Sequence, residues 1–128
     1  MDFKQLVAQA LSVTRPRTLS SHATCAGVGA AIYTKGGNVY LGVCIDTASS
    51  MGFCAEHAAA AAMITAGESE IAKVVAVNAE GKVYPPCGRC REFLLQLNDT
   101  NAYAEVMVDE NTVVPLHQLM PYSWHGIE

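Results

Sequence analysis

Apolar residues recur at helical spacing from the start of the chain. Phe3, Leu6, Val7, Ala10 and Leu11 would share one face of a helix over residues 3–13, and Pro16 cannot extend it. Residues 14–24 lose the period and read as loop. Val28–Tyr33 and Val39–Val43 then flank Thr34-Lys35-Gly36-Gly37-Asn38, a hairpin signal whose glycines can take positive φ. Residues 44–53 are irregular and rich in small polar groups. A helix is expected from Cys54 to Ala66, carried by the alanine run Ala58–Ala62 and stopped by Gly67. Val74–Val77 is short and wholly apolar, the pattern of a strand buried on both faces. After Pro85-Pro86 comes a helix over Cys90–Leu97 with Phe93, Leu94 and Leu97 inward, then a strand over Tyr103–Val108 and a short last helix over Leu116–Met120. Tyr33, Tyr40, Tyr84 and Tyr103 fall at expected strands and read as core or interface packing. The order α-β-β-α-β-α-β-α predicts an α/β fold in which helices cover a mixed sheet.

Composition narrows the function classes. At 128 residues the chain fits one domain, 1–128, able to bury a core without disulfides. Hydrophobic residues make up 51% and charged residues only 16%, so much apolar surface must be covered, in part between subunits. Eight Lys+Arg against twelve Asp+Glu, net charge −4, offer no basic face for nucleic acid or an anionic membrane. The apolar runs Cys25–Tyr33 and Ala58–Ile64 are too short to cross a bilayer, and Met1-Asp2-Phe3-Lys4-Gln5 does not open a secretory signal. Five cysteines, an odd number, cannot close a disulfide framework; thiols used for chemistry in a reducing cytoplasm are the better reading.

Three of those cysteines form a pattern: Cys54-Ala55-Glu56 at an expected helix start, and Pro86-Cys87-Gly88-Arg89-Cys90 downstream. Alone, a Cys-x-x-Cys pair is weak evidence. Its coupling to an upstream Cys-x-Glu reproduces the known signature of zinc-dependent nucleobase deaminases. Zn²⁺ held by three thiolates keeps a fourth position for water, the layout of a catalytic site. Cys54 and Cys87 both stand where a helix begins, and free backbone N–H groups there favour the thiolate. Glu56 is placed to reach the water without ligating the metal. Three thiolates with one Zn²⁺ sum to −1, so positive groups are needed nearby, and Arg89 and Arg91 are the candidates, the alternative being two solvated arginines. A closed structural zinc site would need a fourth ligand such as Cys44 or His57, and would leave the carboxylate at Glu56 without a purpose.

These residues resemble the cytidine deaminase family in its small homotetrameric form. The resemblance runs through Val28-Gly29-Ala30-Ala31, Gly42, Cys54-Ala55-Glu56, Pro86-Cys87-Gly88-Arg89-Cys90-Arg91 and Leu119-Met120-Pro121-Tyr122-Ser123-Trp124. It implies a three-layer α/β/α sandwich with a mixed five-stranded sheet, and one Zn²⁺ per subunit at the N-termini of two neighbouring helices. The implied reaction is hydrolytic deamination of a free cytosine nucleoside, in pyrimidine salvage. Activated water attacks C4 while Glu56 takes its proton, delivers it to N3 and helps ammonia leave. Cys54, Cys87 and Cys90 would hold the metal, and Ala55, Asp46, Cys44 and Trp124 would face substrate, Trp124 from a neighbouring subunit. A lone tryptophan covering its own core is the competing reading.

Departures from the family concern the substrate. The Asn-x-Glu that binds the ribose in nucleoside-specific members is here Cys44-Ile45-Asp46. Asp46 can still accept from a hydroxyl, whereas a thiol replaces an amide poorly; a buried thiol and a turn former are the plain alternatives. The family's Phe near the pyrimidine site is here Ala26, which widens the pocket, and the Arg after the catalytic Glu is His57. The branch acting on blasticidin S also departs at the ribose motif and carries Cys-Gly-Arg-Cys. His22, His117 and His125 show no ligand spacing and read as surface or loop. Two other classes compete: a binding protein that sequesters a nucleoside analogue, and a thiol-redox protein using Cys87 and Cys90.

Overall fold

The computed structural model describes residues 1–124 and 126. Helix α1 spans Phe3–Val13, with Asp2 capping it by accepting from the Gln5 N–H while the Gln5 side chain accepts from the Asp2 N–H. Strands β1 (Arg17–Ser20), β2 (Ala23–Thr34) and β3 (Val39–Thr47) follow, then helix α2 (Ala55–Thr65) and strands β4 (Ile71–Asn78) and β5 (Val83–Tyr84). Helix α3 (Gly88–Leu97) leads into a 3-10 turn over Asp99–Tyr103, strands β6 (Glu105–Asp109) and β7 (Thr112–Pro115), and a last 3-10 turn over Leu116–Leu119.

Strands in the order β3-β2-β4-β6-β7 build a mixed sheet, antiparallel except for the parallel β4–β6 pair, with the short β1 and β5 added beside β2 and β4. Side chains alternate across it with the period of two that a strand imposes. Ala30, Ile32, Val74 and Ala76 pack under Ala59, Met63 and Leu94 on the face covered by α2 and α3. Ala31, Val75 and Val77 meet Leu6 and Ala10 of α1 on the opposite face. The layers are therefore α/β/α, as the family resemblance implies.

The pattern missed three short strands. Residues 14–24 hold β1 and the start of β2, whose exposed Thr18, Ser20 and Thr24 have no hydrophobic alternation to signal a strand. The strand expected to begin at Tyr103 begins at Glu105. Asn98 instead bonds the Thr100 N–H and closes a 3-10 turn that leaves Tyr103 69% exposed, so Tyr103 is not core packing. Tyr84 is likewise exposed at 37%. In α3 the deepest residues are Leu94 and Leu95, with Phe93 and Leu97 half-buried against the same cluster. Asn101, fully buried, joins α3 to β4: it accepts from the Ile71 N–H at 2.8 Å and donates to the Leu94 and Ser69 carbonyls at 3.0 and 3.1 Å.

Gly42 fixes how closely β3 approaches α2. A Cβ there would lie 2.6 Å from the Ala55 carbonyl oxygen and 2.8 Å from the Ala58 carbonyl carbon, both backbone atoms that cannot swing away. Gly42→Ala is expected to lower stability by about 1–3 kcal/mol through overpacking. A thermal melt checks this, and a melting temperature equal to that of the unsubstituted chain contradicts the close approach.

Candidate active site

The two helix starts on the same face of the sheet bring the three cysteines together. Cys54 is the N-cap of α2 and Cys87 the N-cap of α3, both with extended backbone and neither bonding its own helix through the side chain. Their sulfurs are therefore turned outward from the helix ends, 3.3 Å apart. Cys90, fully buried in the first turn of α3, completes a group whose three Sγ atoms lie within 4.8 Å of one another. No fourth His, Cys, Asp or Glu donor joins the group among the described residues, and neither Cys44 nor His57 closes it.

Charge distinguishes this cluster from a set of inert thiols. Burial, then the Cys87 thiol, pushes Cys54 up to about 11. Burial, followed by the Glu56 charge and the other two sulfurs, pushes Cys90 further up. Burial opposes ionisation of Cys87 as well, but the Cys90 N–H and the neighbouring thiols outweigh it and hold Cys87 below the ordinary thiol value. Three crowded thiols of this kind ionise together only around a cation. Three soft donors with one direction left open fit Zn²⁺.

Glu56 is 5% exposed at the second position of α2, and burial raises its pKa above the usual carboxylate range. It lines a cavity of about 270 Å³ with Cys54, Cys87, Ala55, Val28 and Tyr84. A second cavity, about 370 Å³, opens beside it and is lined by Asp46, Ser50, Phe53 and Arg89. Cys44 and Cys54 line both. The pair of cavities is of the size range, about 300–1,000 Å³, in which small molecules bind.

The remaining residues singled out by sequence divide into those the site gathers and those it does not. Cys44 accepts the Val28 N–H at 3.3 Å and lies 3.9 Å from the exposed Asp46 carboxylate. Arg89 reaches the Gly52 carbonyl at 3.4 Å. Arg91 points elsewhere, donating from Nε to the Pro86 carbonyl at 2.8 Å and from Nη1 to the Leu119 carbonyl at 3.2 Å, so it ties the loop before α3 to the last 3-10 turn. Trp124 is 80% exposed, so it does not cover its own core, and its backbone N–H donates to the Glu92 carboxylate at 2.7 Å. It lines neither cavity of this chain. Ala26 is fully buried at the bulge where β2 breaks register with β3, at φ 62°. His22 is exposed and His117 half-buried edge-on to Tyr103; His125 lies outside the described residues.

Sequence reasoning missed the setting of His57. Its ring stacks on Phe93 at 4.1 Å and tilts against Phe53 at 5.2 Å. Burial, with help from the Arg89 charge, lowers its pKa, and its Nδ1 is buried without a partner among the described residues. The residue after Glu56 is thus held toward its neutral form. Phe53 precedes α2 and Phe93 comes from α3, so no helical spacing signalled this setting.

A three-layer α/β/α fold that sets three thiols and a buried carboxylate at the N-termini of two adjacent helices reproduces the site pattern of the zinc-dependent nucleobase deaminases. Comparison with known proteins narrows the class. A cytidine deaminase of Shewanella pealeana is 30% identical over 122 residues, which are 93% of this chain and 37% of that protein. One from Halalkalibacterium halodurans is 30% identical over 97 residues, 73% of this chain and 74% of that protein. The crystal structure of cytidine deaminase from Mycobacterium tuberculosis superposes with a TM-score of 0.81 at 26% identity, over 97% of this chain and 98% of the other. No protein-family model matches the chain. The chain belongs to the cytidine deaminase family, and it spans about a third of the length of the Shewanella relative.

Proposed function

We propose that this chain is a zinc-dependent hydrolase that deaminates a free cytosine nucleoside. The observation that carries the reading is Glu56, buried in the same cavity as two of three converging thiols. Held by Cys54, Cys87 and Cys90, one Zn²⁺ per subunit would lower the pKa of water and supply Lewis acidity. Val28, Ala55 and Tyr84 form the mostly apolar walls against which a pyrimidine ring lies, keeping bulk water from the reacting carbon. Glu56 takes the proton of the attacking water, delivers it to N3 of the ring, and passes the second to the departing amine. A carboxylate whose burial raises its pKa suits a group that must both accept and give a proton near neutral pH.

The sugar extends into the larger cavity, where Asp46 accepts a hydroxyl hydrogen bond. Asp46→Ala is expected to raise KM for cytidine about tenfold, the loss of one charge-assisted hydrogen bond, with kcat little altered. Steady-state kinetics decide it, and an unchanged KM removes Asp46 from the substrate site. A panel of cytidine, deoxycytidine, N4-modified cytidines and blasticidin S tests the substrate. Loss of the cytosine absorbance with release of ammonia supports the reading. Blasticidin S enters the panel because Cys44 and Asp46 stand in the larger cavity where the ribose motif falls.

We further infer a cytoplasmic homotetramer with active sites near the subunit interfaces. The exposed Tyr122, Trp124, Met51 and Leu19 are apolar surface of the kind a sister subunit covers, and Trp124, unused within its own chain's cavities, is the residue to reach a neighbour's site. Sedimentation should give a mass of four chains; a monomer contradicts the assembly. Arg91 acts on the metal site indirectly, by fixing the loop that carries Cys87.

A further inference from the structure

The cavity that holds Glu56 has an aromatic wall, and the sheet puts it there. Strand β5 consists of Val83 and Tyr84, paired with Val77 and Ala76 of β4. Neighbouring side chains on a strand leave by opposite faces, and directly paired residues share one. Val77 and Val83 lie in the cluster under α1, so Tyr84 stands with Ala76 on the face that carries α2, α3 and the sulfurs. The small Ala76 leaves the ring room to reach the cavity, and Pro85-Pro86 then carry the chain stiffly from Tyr84 to Cys87. Among the residues lining that cavity, Tyr84 alone is aromatic.

The ring is held from outside the cavity. Asn78 closes the β4–β5 turn by accepting the Glu80 and Lys82 N–H groups at 3.0 and 2.9 Å, and its Nδ2 donates to the Tyr84 hydroxyl at 3.3 Å. The Lys82 ammonium stands 5.2 Å from the ring centroid, within cation–π reach, and does not line the cavity. The phenol oxygen is thus engaged elsewhere, and what Tyr84 offers the cavity is its ring. Core packing does not account for the residue, which is 37% exposed and belongs to neither apolar cluster. Glu56 and the sulfurs address the edge of the base from which the amine leaves. The flat face of the base needs a different partner, and an aromatic ring suits it because every base has a π-face.

We propose that Tyr84 is the stacking platform of this cavity, the residue by which the site selects a flat, aromatic base. This rests on the cytosine nucleoside deaminase reading above. The test measures KM and kcat on cytidine, and the inhibition constants of uridine and 5,6-dihydrouridine, for the wild type, Tyr84→Leu and Tyr84→Phe. Zinc content and melting temperature are taken on each sample. Dihydrouridine keeps the hydrogen-bonding edge of uridine, but its saturated C5–C6 bond removes the π-face. The wild type should bind uridine about tenfold more tightly than dihydrouridine, the order of one base–aromatic stack. Tyr84→Leu should raise KM for cytidine by a similar factor, leave kcat within a few-fold, keep its zinc and bring the two inhibition constants together. Tyr84→Phe should keep the preference and most of the affinity, because the ring remains when the bond to Asn78 is lost. Failure of the wild type to prefer uridine, or a Tyr84→Leu that retains the preference, overturns the platform and leaves the deaminase reading intact. A Tyr84→Leu that loses zinc and stability together does the same, since that is the mark of a structural role. No turnover of cytidine or of any other nucleoside in the panel at full zinc occupancy overturns both.

Discussion

Glu56→Gln is expected to keep its zinc and lose about 10²–10⁴-fold in turnover, the usual worth of a positioned general acid–base. Glutamine matches the shape of glutamate, so the packing of a side chain that is 5% exposed is preserved. It cannot, however, take a proton from water or return one to the ring. Because Glu56 lies outside the group of three mutually close sulfurs, its replacement leaves the ligand set whole. The measurement is kcat on cytidine alongside metal content of the same preparation. Turnover within a few-fold of wild type would remove Glu56 from the chemistry, and loss of metal would make it a ligand.

Cys90→Ser is expected to empty the metal site and abolish activity together. Cys90 is fully buried in the first turn of α3, and Cys54 and Cys87 supply the other two thiols. A serine hydroxyl there remains protonated and offers zinc a far weaker donor than a thiolate. A metal bound by the folded state stabilises it by mass action, so wild-type protein should also melt at a lower temperature after chelation, while Cys90→Ser should no longer respond to chelator. Elemental analysis and paired melts check this. Stoichiometric zinc in Cys90→Ser would show that the third ligand lies elsewhere.

The parts of the fold and site that were legible in the sequence are those where one residue type has one use. The 3.6-residue period around Phe3, Leu6 and Ala10 marks α1, and Val74–Val77 marks a strand covered on both faces because no polar residue interrupts it. The Cys-x-Glu and Pro-Cys-x-x-Cys spacing marks the three sulfurs as one group, since two helix starts on one sheet face leave few arrangements. The strand at Arg17–Ser20 was hidden because all four residues are exposed and its pairing partner, not its pattern, makes it a strand. The aromatic setting of His57 was hidden for a related reason: Phe93 comes from another helix, and tertiary contact leaves no local trace. Arg91 read as a charge beside the cysteines, but its direction depended on the Leu119 carbonyl 28 residues away.

Zinc content and cytosine deamination measured on one sample of the unmodified protein test the central claim most directly. Close to one zinc per chain, together with stoichiometric conversion of a cytosine nucleoside and release of ammonia, is the predicted result. Full zinc occupancy with every nucleoside in the panel left intact would contradict it.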